Sequence, residues 1–272
     1  RYGDLFMVWF DGGASDPKTY GADLLPIVEK NQPGCLFYHN AQRADFRWGG
    51  SESGTVPYPC WATYPFPYSH AKNTAAIFKN NFQLLKEGDK DGQYYMPAMS
   101  DAPLRGYNGR HEWFWEPGDE THIFPVQKLV DMYYNSVGHN STLVLGLTPN
   151  PDGLMDQQDV DTLAAFGKRI NERLGHPLAE VHSTNNRIIQ LPIPKGKTVQ
   201  NIVIGENITR GQRVRAFELL GYQHHKWETV FSGSAIGHKF IYQLPPGNGY
   251  KKIKLVVKNS SGQSDIQYFG VY

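Results

Sequence analysis

The pattern of apolar and polar residues changes once along this chain, at about residue 175. Before that point, short apolar runs alternate with segments of helical periodicity. The apolar runs contain few polar residues, which predicts strands that are buried on both faces. Four such strands are predicted, at residues 5–10, 35–39, 94–98 and 143–147.

Segments with helical periodicity lie between these runs. One helix is predicted from Asp16-Pro17, a cap followed by a first-turn proline, to about Lys30. Two more are predicted at 126–137 and 156–174, and Gly175 closes the second. This order of strands and helices predicts parallel strands joined by right-handed crossovers.

Four strand–helix units make up half of an eight-stranded barrel and would leave two long strand edges exposed. An open, doubly wound sheet is one solution. A preceding segment that supplies the other barrel strands is a second solution, and we favour it. The predicted fold class is therefore α/β, with the C-terminal half of a (β/α)8-type, TIM-like barrel at residues 1–177.

Residues 178–272 form a second predicted domain with a different pattern. Alternating apolar and polar runs, separated by Gly, Pro and Asn turns, recur at a spacing of roughly ten residues. This pattern is typical of an antiparallel β-sandwich of jelly-roll or immunoglobulin-like type. Seven strands are predicted, at 187–192, 199–204, 213–220, 227–231, 239–244, 251–257 and 266–272.

Composition narrows the classes of function. The 272 residues carry a net charge of +1 with dispersed basic residues, which argues against nucleic-acid binding. No apolar run approaches the ~18 residues of a membrane span. Aromatic residues make up 13% of the chain and fit either strand packing or a carbohydrate site. No cofactor or metal site is predicted, and pairing of Cys35 with Cys60 stays open.

Two carboxylates have the sequence context of a catalytic pair. Asp11 ends the first predicted strand before two glycines, and Glu52 lies in a Gly/Ser loop after the second. Asp101 and residues 148–152 follow the third and fourth strands. The C-terminal ends of barrel strands meet at one mouth, and glycosidic bond cleavage needs two carboxylates there. The alternatives are a turn-capping role for Asp11 and an ordinary exposed loop for Glu52.

The motifs around these carboxylates resemble one enzyme family. Trp9-Phe10-Asp11-Gly12 is similar to the nucleophile motif of the α-L-fucosidases of glycoside hydrolase family 29. Residues 47–54 (RWGGSESG) are similar to the acid/base loop of that family's second subfamily, which prefers fucose linked α-1,3 or α-1,4. Further similar segments lie at 97–105, 113–115, 131–140, 145–150, 206–208, 211–214 and 236–239.

The resemblance implies a retaining hydrolase in which Asp11 is the nucleophile and Glu52 the general acid/base. It also implies that a preceding barrel segment is missing from this chain, and that the substrate is a fucosylated oligosaccharide or glycoconjugate. An ion pair for Arg47 and core packing for Trp113 and Trp115 are the alternatives to sugar contact. The predicted substrate-binding residues are Trp9, Arg47, Trp48, Trp113 and Trp115.

Two other functions stay open at this point. One is a non-catalytic glycan-binding protein in which the sandwich binds the sugar, and the other is a related hydrolase of another sugar, such as L-galactose. Because the chain starts almost directly on a core strand, we expect a processed N-terminus. The expected location is secreted, periplasmic or lysosomal.

Overall fold

The computed structural model describes residues 3–14, 17–40, 42–66, 82–109 and 113–272. Within these ranges the chain contains both helices and strands, and the strands form five sheets. None of the described helices is long and apolar enough to cross a membrane. Asp16, the predicted cap of the first helix, lies outside the described residues.

The first part of the chain is built on short parallel strands. Strands β1 and β2 pair in parallel, and β3, β6 and β7 form a second parallel sheet with β6 at its centre. Strands β4 and β5 form a separate antiparallel pair. The bounds are β1 (Met7–Ala14), β2 (Leu36–Asn40), β3 (Arg47–Trp48), β4 (Thr63–Tyr64), β5 (Tyr94–Tyr95), β6 (Ala98–Pro103) and β7 (Ser141–Gly146).

The predicted parallel pairing is confirmed, but the strand limits need correction. The strand predicted at 94–98 was wrong, because β5 pairs antiparallel with β4 and the parallel strand begins only at Ala98. Strand β3 was not predicted, since two residues are too few to show a period. Every residue of β6 is buried. Strands β1 and β7 are only partly buried, which differs from the prediction.

The helices lie between these strands, and the longest matches its prediction. Asp156 is its N-cap and Gly175 its C-cap. The single helix predicted up to Lys30 was wrong: Gly21, with a φ of 77°, ends one helix before the next begins. A left-handed residue cannot continue a right-handed helix. The bounds are α1 (Pro17–Tyr20), α2 (Leu25–Asn31), α3 (Phe82–Glu87), α4 (Val126–Tyr134) and α5 (Gln157–Leu174).

Two four-stranded antiparallel sheets make up the rest of the chain, with strand orders β13-β10-β15-β8 and β12-β11-β14-β9. Side chains from both sheets form one hydrophobic core, in which Ile202, Phe217 and Phe269 are at most 1% exposed. All seven predicted strands are confirmed, and β8 is an additional strand. The bounds are β8 (Ala179–Thr184), β9 (Ile188–Pro192), β10 (Asn201–Glu206), β11 (Val214–Gln223), β12 (Lys226–Gly233), β13 (Phe240–Gln243), β14 (Lys252–Ser260) and β15 (Ile266–Val271). The domain boundary at residue 178 stays a prediction.

Tyr58 connects the parallel strands to the antiparallel sheets. Its hydroxyl donates to the carbonyl oxygen of Ala235 at 3.0 Å and accepts the N–H groups of Ser234 at 3.0 Å and Ala235 at 3.2 Å. Its ring packs against Phe231 and Phe240, with centroid distances of 5.7 and 5.1 Å. One half-buried side chain therefore satisfies three backbone groups across the contact between the two parts.

We expect Tyr58→Phe to lower the free energy of unfolding by about 1–3 kcal/mol, because it leaves half-buried backbone groups without their partner. Denaturant unfolding of the wild type and the variant measures this difference. Tyr94→Phe, at an exposed tyrosine, is the matched control and should change little. Equal losses in the two variants would contradict this role of the Tyr58 hydroxyl.

Candidate functional site

Asp11 lies in a bulge near the end of β1. Regular pairing with β2 reaches Trp9, opposite Tyr38, and the next aligned pair is Ala14 with Asn40. Between these two pairs β1 advances by five residues while β2 advances by two. The regular pairing of β1 with β2 is therefore interrupted around Asp11. The Asp11 side chain is exposed. The bulge leaves its carboxylate accessible at the C-terminal end of a parallel strand.

Glu52 is exposed in the loop between β3 and β4, and strand β6 holds that loop at both ends. The N–H of Gly49 donates to the carbonyl oxygen of Met99 at 2.6 Å, and the N–H of Gly54 donates to that of Asp101 at 2.8 Å. Gly54 has a φ of +67°, and a Cβ there would lie 2.9 Å from a methionine sulfur. The tight loop therefore needs glycine at this position.

The side chain of Asp101, in the middle of β6, lies within electrostatic reach of both predicted catalytic carboxylates. It is 1% exposed, and its pKa is raised to about 6. Burial is the main cause because it disfavours the charged form, and the indole N–H of Trp48 offsets part of that effect. The negative charges of Glu52 and Asp11 raise the pKa further. The structure thus brings Asp11 and Glu52 to the surroundings of one buried carboxyl group.

Trp48 is hydrogen-bonded to this group, and Trp9 lies on β1 two residues before Asp11. Both are half-buried, and both pack against the same hydrophobic core cluster. The indole N–H of Trp48 donates to Oδ1 of Asp101 at 2.7 Å, which fixes the plane of its ring. The hydrogen bond thus holds the Trp48 ring beside Asp101, whereas sugar contact by Trp9 and Trp48 stays a prediction.

Trp113 adds a third indole next to Glu52. Its Nε1 lies 3.4 Å from Oε2 of Glu52, a long hydrogen bond. Its ring lies over Gly146 at the end of β7, where a Cβ would be 2.5 Å from the ring. Glycine therefore makes the space that this indole occupies. The neighbouring Phe114 is 82% exposed.

Trp115 is anchored by a different network. Its indole N–H donates to Oδ2 of Asp156 at 2.8 Å. Asp156 also accepts from Arg105 at 2.6 Å and from Asn150 at 3.1 Å. These donors, Trp115 first, hold the pKa of Asp156 below its usual value. Arg105 is fully buried and also pairs with Asp159 at 2.9 Å, so a buried ion-pair network orients this tryptophan.

The structure corrects the predicted sugar contact of Arg47. This side chain is 1% exposed, and its guanidinium donates to the carbonyl oxygens of Leu85 at 2.8 Å and Met96 at 2.6 Å. A third hydrogen bond reaches the thiol of Cys60 at 3.3 Å. Successive residues of a strand point to opposite faces, so Arg47 points away when Trp48 faces the site. Arg47 therefore holds the strand on the face opposite Trp48 through carbonyl groups, and among the described residues it forms no ion pair.

The two cysteines are buried free thiols, which answers the question of their pairing. Burial raises the pKa of the Cys60 thiol, so this group stays protonated and unreactive at neutral pH. In the part of the chain that the structure describes, no group of three His, Cys, Asp or Glu residues could hold a metal ion.

Comparisons with known proteins point to one group of enzymes. The chain is 26% identical over 311 residues to α-L-fucosidase 1 of Arabidopsis thaliana. It superposes with a TM-score of 0.93 on the crystal structure of a candidate α-L-fucosidase from Bacteroides thetaiotaomicron, at 49% identity. A glycoside hydrolase 29 family member from an unknown rumen bacterium superposes with a TM-score of 0.81 at 26% identity. No protein-family model matches the chain.

The chain spans only part of these relatives. Each comparison covers 100% of this chain, but only 59% of the Arabidopsis protein, 61% of the Bacteroides protein and 51% of the rumen protein. Two of these three proteins are named as α-L-fucosidases or candidates for one, and the third as a member of glycoside hydrolase family 29. This similarity supports the family resemblance of the motifs, whereas the subfamily and the roles of single residues stay predictions.

The raised pKa of Asp101 makes a prediction about stability and pH. Since the folded-state pKa is raised from 3.8 to about 6, the stabilising contribution of its proton is complete below about pH 4. That contribution is lost as the pH rises through about 6. Relative to Asp101→Asn, which has no such proton, the wild type should lose up to about 3 kcal/mol of unfolding free energy between about pH 4 and 7.

Denaturant unfolding at a series of pH values measures this difference, because the other titratable groups are shared by the two proteins. Parallel stability curves for wild type and Asp101→Asn would show that the Asp101 carboxyl does not titrate in this window.

Proposed function

We propose that this chain is part of a retaining glycoside hydrolase that releases α-linked L-fucose from oligosaccharides or glycoconjugates. The observation that carries the proposal is that two exposed carboxylates, 41 residues apart in sequence, both act electrostatically on the same buried Asp101. The similarity to α-L-fucosidases supports the choice of sugar. The acid/base loop motif supports the second subfamily, with its preference for α-1,3 and α-1,4 linkages.

In the proposed mechanism Asp11 attacks the anomeric carbon and forms a covalent fucosyl-enzyme. Glu52 protonates the leaving oxygen and then takes a proton from the incoming water, so that two inversions give net retention. Trp113, within 3.4 Å of Glu52, borders the side from which the leaving group departs. Trp9 and Trp48 supply apolar surface for the C–H faces of the sugar.

We also propose that β1, β2, β3, β6 and β7 are the C-terminal strands of a (β/α)8-type barrel and that the two antiparallel sheets are a β-sandwich domain. Among the described residues, β1, β2, β3 and β7 have one partner strand each, so every one of them is an edge. Parallel edges of this kind are normally covered or paired. Further strands from a segment outside this chain would complete the barrel, which agrees with the greater length of the relatives.

Replacement of the two carboxylates tests this function in the protein that carries this chain. Asp11→Asn removes the nucleophile, and we expect turnover of an aryl α-L-fucoside to fall at least about 10³-fold. Glu52→Gln removes the acid/base and should cost about 10²–10⁴-fold. The control is Asp161→Asn, an exposed carboxylate on helix α5. Full turnover in either site variant would remove that residue from its proposed role.

A panel of aryl glycosides separates the fucosidase from its alternatives. A fucosidase should hydrolyse the α-L-fucoside much faster than the α-L-galactoside, which carries an added hydroxyl. Faster cleavage of the α-L-galactoside would identify a related hydrolase. Binding of fucosylated glycans without turnover of any glycoside would identify a glycan-binding protein instead.

The retaining mechanism makes a geometric prediction. In a crystal structure of the protein, the nearest carboxyl oxygens of Asp11 and Glu52 should lie about 5–6 Å apart, which leaves no room for water between nucleophile and sugar. A separation of about 8–9 Å would instead fit an inverting enzyme or two unrelated carboxylates. The anomeric configuration of the first product, followed by NMR, is the matching measurement in solution.

A further inference from the structure

The proposed reaction leaves one carboxyl group of the site unused. Asp101 is 1% exposed, lies on the central strand β6, and does not reach the surface where a substrate would bind. A buried carboxyl group costs stability unless its surroundings compensate for the lost hydration. Such a group beside two exposed carboxylates therefore calls for a physical explanation.

The hydrogen bonds of Asp101 connect it to both sides of the site. Its carboxylate accepts the indole N–H of Trp48 at 2.7 Å, and its backbone carbonyl accepts the N–H of Gly54, at the end of the Glu52 loop, at 2.8 Å. Trp48 and Gly54 are the residues four before and two after Glu52. One residue of a fixed strand thus positions both the aromatic ring and the loop that carries the predicted acid.

The charged and titratable groups around Asp101 come from three elements. Asp11 lies on β1 and Glu52 on the loop after β3, and the negative charges of both raise the pKa of Asp101. Tyr38 lies on β2, and its hydroxyl forms a hydrogen bond with the backbone of Trp48. Burial is the main cause of the raised pKa of this hydroxyl. Among the described residues, the groups that act on the Asp101 carboxyl are therefore negative or neutral, and the indole N–H is the main donor that stabilises its ionised form.

We propose that Asp101 is a positioning residue that holds the Trp48 indole against the sugar and places a third negative charge beside the nucleophile and the acid/base. This inference rests on the proposed function. An indole held by a charged acceptor at 2.7 Å cannot turn about its side-chain bonds without breaking a buried hydrogen bond. The ring is therefore preorganised before the substrate binds, which reduces the cost of ordering it.

The test compares variants in the protein that carries this chain. Asp101→Asn keeps the shape and an acceptor oxygen but removes the charge, and we expect kcat/KM to fall about 10-fold. Loss of a negative charge next to the acid should also move the alkaline limb of the pH profile down by about half a pH unit. Asp101→Leu removes the acceptor as well, and should raise KM and lower kcat/KM about 100-fold.

Trp48→Phe removes the donor and keeps an aromatic ring. If Asp101 acts through Trp48, the double variant Trp48→Phe/Asp101→Leu should have a kcat/KM no lower than that of the less active single variant. The matched control is Glu206→Gln, a carboxylate that is 3% exposed in the antiparallel sheets and accepts three backbone N–H groups. It should change stability without moving the pH profile, as expected of a purely structural buried carboxylate.

A measurement without substrate separates this inference from the proposed function. The indole N–H resonance of Trp48, assigned through Trp48→Phe, should shift with a midpoint near pH 6 in the wild type and stay constant in Asp101→Asn. A resonance that does not respond to pH overturns the inference, as does an Asp101→Asn enzyme with wild-type kinetics and pH profile. Full turnover by Asp11→Asn with a titrating Trp48 resonance would instead overturn the proposed function alone.

Discussion

Strand β6 is the constraint on which the rest of the candidate site depends. It is buried at every residue and pairs in parallel with β3 on one side and β7 on the other. A strand with two partners cannot slide without breaking both sets of hydrogen bonds. Because the backbone of β6 also accepts the two N–H groups that hold the Glu52 loop, the position of this exposed side chain is set by a rigid part of the fold.

The buried charges of the chain fall into two kinds. Arg105 and Glu206 are compensated locally, by carboxylates in one case and by three backbone N–H groups in the other. Asp101 is different, because its side-chain donor is one indole while Asp11 and Glu52 add negative charge. Burial raises the pKa of Glu206 as well, so the shift alone does not mark a functional site, whereas the two further carboxylates near Asp101 do. This difference in compensation distinguishes the candidate site from the structural ion pairs.

The sequence predicted most of the secondary structure wherever an element was long enough to show its period. Helix α5, with eighteen residues and its capping positions, and the seven predicted strands of the antiparallel sheets are examples. It failed where elements are short: β3 has two residues, and α1 ends at Gly21 after a single turn. In these places pairing with β6 and one backbone angle decided the structure, and neither leaves a periodic signal.

For the site itself, the sequence by itself determined the chemistry: which residue types stand beside Asp11 and Glu52, and in which order along the chain. Only the tertiary structure decided which side chains face them. Arg47 and Trp48 are adjacent and belong to the same motif. Arg47 nevertheless donates a hydrogen bond to a backbone carbonyl on one face of the strand, whereas Trp48 donates to Asp101 on the other. The reason is physical. Neighbouring side chains of a strand point to opposite faces, and the pairing of β3 with β6 determines which face borders the carboxylates.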